Sequence, residues 1–301
     1  MKPTTKPARE RAFVALGAKA EARPLPPGLH IVATPIGNLG DVTIRALETL
    51  AAADAILAED TRVSRRLLDH YAISTPLVAY HEHNAVEARP KAISRMKAGD
   101  SLALISDAGT PLISDPGYKL VAEAVAEGIA VTSLPGPCAA VMALTFAGLP
   151  TDRFFFEGFL PHKSAARRER LNALAAIPAT LVFYEGPSRL GETLADLALE
   201  LGNRAAAVAR ELTKLYEEVR RGELSELAAH YETHEARGAI VVMVGPPAPA
   251  SPPDGASLDV EILAALETLS VKDAAAAVAA RARLPRREVY ARALLLAGAR
   301  R

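Results

Sequence analysis

With 301 residues, half of them hydrophobic and 23% charged, the chain has the make-up of a folded globular protein and not of a disordered one. Lys+Arg and Asp+Glu stand at 35 each, so no global charge marks a nucleic-acid partner, and any RNA-binding surface must come from local clustering. The single cysteine, Cys138, excludes an intramolecular disulfide and a cysteine-rich zinc site, and fits a reducing cytoplasm.

Residues 1–28 carry Lys2, Lys6, Arg9, Arg11, Lys19 and Arg23 together with five prolines, and no apolar stretch of signal-peptide type. They are expected to form a flexible basic arm, a transit peptide being the alternative. No run of about 18 apolar residues follows, so no membrane span is expected. From Leu29 short apolar runs alternate with helical periodicity. Leu29–Thr34, Ala55–Ala58, Leu77–Ala79, Ser101–Ile105 and Val131–Leu134 are predicted strands, with helices between them, the first over Thr43–Ala52. Buried strands spaced by helices imply crossover connections and a mainly parallel sheet over residues 29–147.

Gly148-Leu149-Pro150 is the predicted joint to a second α/β region over 148–245. Its predicted strands are Arg153–Phe156, Leu181–Tyr184, Ala205–Arg210, Glu217–Arg220 and Ala239–Val244. Between them Leu190, Leu194, Leu197 and Leu201 fall on one helix face. A proline-rich linker is expected over 246–257, and three short helices over 258–301.

The most informative stretch is Ser106–Gly117, reading Ser-Asp-Ala-Gly-Thr-Pro-Leu-Ile-Ser-Asp-Pro-Gly, directly after a predicted strand and before a helix. Open α/β sheets bind ligands outside the carboxyl ends of their strands. Gly109 and Gly117 permit close approach, Pro111 and Pro116 stiffen the loop, and Asp107 and Asp115 add acceptors. Such a loop suits a cofactor made of an adenosine and an amino acid; a pair of fused turns with no ligand stands as the alternative. There is no G-x-G-x-x-G after the first strand, only Gly37-Asn-Leu-Gly40, so the dinucleotide fingerprint is missing.

Several segments, in order, resemble the ribosomal RNA small subunit methyltransferase I family of the tetrapyrrole-methylase-like superfamily. They are Ala33–Gly40, Ala58-Glu-Asp-Thr-Arg62, Ser106–Gly117, Leu134–Ala140, Phe183-Tyr-Glu185 and Ala209–Lys214. The resemblance implies two α/β domains with a cofactor cleft between them, a small C-terminal helical tail domain and a homodimer. It also implies methyl transfer from S-adenosyl-L-methionine to a ribose 2′-oxygen of a cytidine in 16S rRNA, near the decoding centre. Carried over by position, Pro35, Asp107, Gly109, Thr110, Ile113, Cys138, Ala139, Tyr184 and Ala239 are the candidate cofactor-binding residues. Ser188, in Phe183–Arg189, stands where the family pattern leads one to expect histidine.

A ribose hydroxyl is a poor nucleophile, so the chemistry needs positioning first and a proton acceptor second. Glu59, Asp60 and Glu185, at predicted strand ends, are the candidate acceptors, and His81 and His83 offer imidazoles in the same setting. Arg62, Lys163, Arg167, Arg168, Arg170, Arg286 and Arg287 are the candidate RNA contacts, with Arg292 nearby; a solvated helix face is the alternative for such runs. No cluster of metal-ligand spacing is evident and no metal is expected. A tetrapyrrole methyltransferase and a non-enzymatic nucleic-acid-binding module are the competing readings, disfavoured respectively by the helical tail and by the intact Ser106–Gly117 loop.

Overall fold

The computed structural model describes residues 10–248, 255–282 and 284–299. Residues through Pro246 form one compact unit and those from Pro247 a second.

The first unit opens with a hairpin of β1 (Ala12–Ala15) and β2 (Ala18–Glu21), antiparallel across a two-residue turn in which Leu16 and Gly17 both take positive φ. Part of the expected flexible arm is therefore docked structure. Phe13 is buried among Leu68, Tyr71 and Ile73, the Val14 amide donates to the Tyr71 carbonyl at 2.8 Å, and Arg11 pairs with Asp54 at 2.6 Å. Composition suggested an arm, and the burial of one aromatic against a distant helix decided otherwise. Residues 1–9 lie outside the described residues.

The first sheet has the order β5-β4-β6-β3-β7 and every pairing in it is parallel. Its strands are β3 (Gly28–Val32), β4 (Ala55–Ala58), β5 (Leu77–Ala79), β6 (Ser101–Ile105) and β7 (Val131–Leu134). The crossovers run through α1 (Ile44–Ala52), α2 (Thr61–His70), α3 (Ala85–Lys97) and α4 (Tyr118–Ala126). Side chains alternate across β6: Ala103 and Ile105 meet Leu47, Leu50 and Leu68 of α1 and α2, while Leu102 and Leu104 meet Ile93, Met96 and Leu120 of α3 and α4. Both faces are covered, which is why the strands read as continuous apolar runs. Thr43 caps α1, its hydroxyl accepting from the Ala46 amide at 3.0 Å.

The second sheet has the order β11-β10-β12-β9-β8, with β8 (Phe154–Phe159) parallel to β9 (Thr180–Glu185). The remaining pairings, of β10 (Ala205–Arg210), β11 (Glu218–Glu223) and β12 (Ile240–Val244), are antiparallel. One face is covered by Leu171, Leu194 and Leu227 of α6 (Ser164–Leu174), α7 (Leu190–Leu201) and α8 (Leu224–Thr233). The other, bearing Val182, Ala207 and Met243, packs on Ala140, Ala143 and Leu144 of α5 (Ala139–Phe146). By packing, α5 belongs to the second sheet although it precedes the Gly148–Pro150 joint.

Three strands, β8, β9 and β11, are longer than the sequence predicts. β8 continues past Phe156 through a bulge at Glu157-Gly158, and β11 continues to Glu223 because it pairs along the whole length of β10. Among the described residues the second unit consists of α9 (Gly255–Ala265), α10 (Val271–Ala282) and α11 (Arg286–Ala299), closed around Ile262, Val278 and Val289. No helix of the described residues is long and apolar enough to cross a membrane.

Candidate active site

Three loops leave the carboxyl ends of β3, β6 and β7 and are laced together. Thr34 and Gly109 exchange backbone hydrogen bonds at 2.9 and 3.0 Å, and the Thr34 hydroxyl donates to the Ser106 carbonyl at 3.2 Å. The Thr110 hydroxyl donates to the Pro137 carbonyl at 2.9 Å, joining the second loop to the third. Within Ser106–Gly117, Leu112 and Ser114 both take positive φ, at 74° and 63°. Each such residue costs about 1–3 kcal/mol and persists only where its surroundings hold it. The lacing anchors the loop just before them, at Ser106, Gly109 and Thr110.

The opposite wall comes from the second sheet. Glu185, at the end of β9, is buried; its carboxylate accepts from the Thr193 hydroxyl at 2.6 Å and the Gly186 amide at 2.7 Å, and pairs with Arg189 at 2.5 Å. After β10 the chain turns through Glu211 and Thr213, again at positive φ. Lys214 donates to Glu211 at 2.7 Å, an ion pair that holds the Glu211 carboxyl below its ordinary range. The two walls touch at Gly37, where a Cβ would stand 2.5 Å from Lys214 Cγ and 2.9 Å from the Leu212 carbonyl. No other residue fits there without moving backbone.

Between the walls lies a cavity of about 380 Å³. The first sheet's loops contribute Ile36, Ala108–Thr110, Ile113–Asp115, Cys138 and Ala139; the second contributes Phe159, Tyr184–Pro187, Leu212, Lys214 and Gly238–Val241. The Tyr184 hydroxyl accepts from the Ala140 amide at 3.3 Å, and burial pushes its pKa up to about 12. Its ring packs edge-on against Phe156 at 5.0 Å and tilted against Phe159 at 5.6 Å.

The charge in this region is carboxylate-rich. Burial, with Glu59 and Asp107 adding repulsion, pushes Asp115 up to about 6. Glu59 is likewise raised, first by burial and then by Asp107. Carboxylates that raise one another's proton affinity favour a cation beside them and disfavour an anion. A largely apolar cavity of this size with a few polar groups and one perturbed carboxyl has the make-up of a small-molecule site.

Comparison with known proteins gives the site its family. Residues 28–228 match the model of the tetrapyrrole (corrin/porphyrin) methylases, and residues 253–297 match the RsmI C-terminal HTH domain. Ribosomal RNA small subunit methyltransferase I of Mesorhizobium japonicum is 53% identical over 277 residues, covering 91% of this chain and 94% of that protein. The chain belongs to the ribosomal RNA small subunit methyltransferase I family. The Erythrobacter litoralis member of that family is 51% identical over 275 residues, 91% of this chain and 97% of its own. Among solved structures, diphthine synthase superposes with TM-score 0.58 at 17% identity, covering 72% of this chain and 89% of that one. Uroporphyrin-III C-methyl transferase from Thermus thermophilus, complexed with S-adenyl homocysteine, superposes with TM-score 0.52 at 20% identity, covering 72% and 96%. At these identities the likeness is one of fold.

Of the residues this methyltransferase-family sequence singled out, Gly109, Thr110, Ile113, Cys138, Ala139, Tyr184, Glu185 and Ala239 line the cavity. Pro35 does not, its neighbour Ile36 taking the place. Asp107 stands outside the lining with its carboxylate accepting from the Asp60 amide at 2.9 Å, and acts on the cavity through charge. Cys138 is half-buried against the second sheet's inner face.

The three candidate proton acceptors stand in different settings. Asp60 caps α2, accepting from the Arg62 amide at 2.8 Å, and the Arg62 guanidinium holds its carboxyl far below the usual range. Glu185 has both oxygens engaged. Glu59 does not line the cavity. Besides the engaged Glu185, the lining holds Asp115, which the sequence marked only as an acceptor of the loop. Ser114, in the Ser106–Gly117 loop, and Leu212 and Lys214, in the Ala209–Lys214 segment, line the cavity too, as do Phe159 and Gly238, which no motif marked.

The candidate RNA contacts divide in the same way. Arg167 is 1% exposed and bonded to Asp196 at 2.7 Å, so it is part of the interior and not of an RNA surface. Arg168 and Arg170 are exposed but paired with Glu200 and Glu157, and Arg62 is paired with Asp60. Lys163 is exposed at the start of α6. Arg286 and Arg287 are exposed at the start of α11, while Arg292 is held by Asp259 at 2.6 Å. His81 has a buried Nδ1 with no hydrogen-bond partner, and its ring lies 6.0 Å from that of His83. Ser188 is exposed in the turn Pro187–Arg189, off the cavity lining.

Proposed function

We propose that the protein transfers the methyl group of S-adenosyl-L-methionine to a ribose 2′-oxygen of a cytidine in 16S rRNA, near the decoding centre. The observation that carries this reading is identity of about one half to named rRNA small subunit methyltransferases along nine-tenths of the chain, catalytic body and helical tail together. The cavity fits such a cofactor in volume, in its apolar walls and in the carboxylates that suit a sulfonium and an ammonium group. Gly109, Thr110, Ile113, Cys138, Ala139, Tyr184 and Ala239 would hold it, with Ser114 and Leu212 completing the walls.

When bound, the cofactor supplies a methyl group already activated by positive charge. What remains for the chain is to orient the hydroxyl and take its proton. Asp115 is the acceptor in this reading, being the carboxylate in the lining whose proton affinity lies near neutrality. Asp107 and Glu59 tune it. The test is transfer of labelled methyl from S-adenosylmethionine to small ribosomal subunits lacking the modification, with the labelled nucleotide mapped. Label on a 16S ribose 2′-oxygen is expected; cofactor binding without transfer to subunits or naked rRNA would redirect the search to tetrapyrroles.

The division into 29–147, 148–245, a linker over 246–257 and an RNA-binding tail over 258–301 belongs to the same reading, as do a homodimer and a cytoplasmic location. The tail has its own apolar core and presents Arg286 and Arg287 to solvent. Removing residues 247–301 should weaken subunit binding on the order of tenfold, through lost phosphate contacts, and leave the cofactor Kd unchanged. Equal loss of both would make the tail a folding element instead. A monomeric mass for the fully active protein would contradict the dimer.

A further inference from the structure

Phe159 is a large apolar side chain left 57% exposed at the edge of the cavity, and the route by which it gets there is specific. In β8, Phe156 pairs with Val182, Gly158 with Phe183, and Phe159 with Tyr184, so Glu157 is an extra residue in the strand. Because side chains alternate, one inserted residue moves everything beyond it to the other face. Without the bulge Phe159 would stand level with Glu185, on the face covered by α6 to α8. With it, Phe159 shares the cleft-facing side with Phe156 and Tyr184, while Leu160 turns back into the helix-covered core. Gly158 makes the bulge possible by taking φ +78°, and the Ser114 hydroxyl comes within 3.0 Å of where a Cβ would be. The bulge is thus seated directly against the Ser106–Gly117 loop.

The ring so placed packs tilted against Tyr184, and more than half of the residue's surface stays exposed. A cofactor enclosed by the two walls does not need a solvent-facing ring. A macromolecular substrate that must present one nucleotide does. Sequence-specific RNA recognition works on unstacked bases, which regain their lost stacking on aromatic side chains. Beyond Phe159 the chain runs through Leu160 and Pro161 to exposed His162 and Lys163, the latter four residues on and so no more than about 14 Å away, a position suited to a flanking phosphate.

We propose that Phe159 is the stacking platform for the target nucleobase, receiving it from single-stranded RNA and thereby setting its ribose at the mouth of the cavity. The inference rests on the RNA methyltransferase reading above and adds to it the residue that captures the base. The experiment compares Phe159→Leu and Phe159→Trp with the unsubstituted protein, measuring KM for small subunits, kcat, and the cofactor Kd by equilibrium dialysis. Phe159→Leu is expected to raise KM for the subunit about 5- to 150-fold, the range of one lost base stack. Phe159→Trp is expected to recover most of that loss, and the cofactor Kd is expected to be unmoved in both. Leucine keeps the side chain apolar at an exposed position, so the fold is not at stake. Weaker cofactor binding matching the loss in KM would place the adenine on Phe159 and overturn the proposal. So would a leucine variant unchanged in every constant. Failure of the unsubstituted protein to methylate subunits would overturn the underlying reading as well, and is seen before any variant is made.

Discussion

Asp115→Asn is expected to lower kcat for methyl transfer by about 10²- to 10⁴-fold, the usual worth of a positioned proton acceptor, while the protein still binds its cofactor. The change keeps the shape of the side chain and removes its basicity. Burial and two neighbouring carboxylates bring Asp115 up to about 6 from an ordinary value of 3.8. As a base it acts when ionised, so activity should rise with pH and level off above about 6. In kcat/KM for the cofactor the limb should fall near 6, since that ratio reports the free protein; in kcat it should lie lower, because a bound cation favours the carboxylate. The stability sign is opposite. A carboxyl raised in the folded state contributes stability that is present below its unfolded pKa and is lost as pH rises through about 6. At pH 7 the asparagine variant should therefore melt at a higher temperature than the unsubstituted protein, while being far less active. A pH-rate profile and a thermal melt on the same two proteins check both signs. An asparagine variant that turns over normally would remove Asp115 from the mechanism.

Arg167→Ala should destabilise the first unit by about 3–5 kcal/mol, the cost of breaking a buried pair and stranding its partner. The guanidinium is 1% exposed, bonds Asp196 at 2.7 Å and donates to the His162 carbonyl at 3.3 Å. Asp196 is 13% exposed and also accepts from the Ser164 hydroxyl at 3.1 Å. Removing the arginine leaves that carboxylate inside without its counter-ion. Arg167→Met combined with Asp196→Leu should recover much of the loss, since it removes both charges and keeps the volume. Urea unfolding midpoints read the effect. If Arg167→Ala kept its stability and lost RNA affinity instead, the charge would be acting as an RNA contact after all.

Arg167 also illustrates how far sequence reading reaches. Lys163, Arg167, Arg168 and Arg170 stand close together along the chain and look alike in composition. Arg167 of α6 is buried against Asp196 of α7, while Lys163, just before the helix, and Arg168 and Arg170 stay exposed. Whether a neighbouring helix supplies an acidic partner at that spot is not a local property. Asp60 is a similar case: a strand-end carboxylate looks catalytic until the following helix claims it as a cap.

The parallel first sheet, the loop after β6, and the three-helix tail were legible in residue order. Apolar runs bounded by helical periodicity, and a Gly-Pro-Asp loop directly after one of them, are short-range signals, and short-range signals survive in a one-dimensional reading. So was the family, because several motifs occur together in order. What tertiary structure alone decided depends on register and long-range packing. A one-residue bulge in β8 sends Phe159 to the cleft face; burial, with Glu59 and Asp107, raises Asp115; α5 joins the sheet that follows it; and Phe13 docks the supposed arm into the core of the first sheet beside α1. In each case the deciding partner lies on a different element. The energy of such a contact exists only once the chain has brought the two elements together.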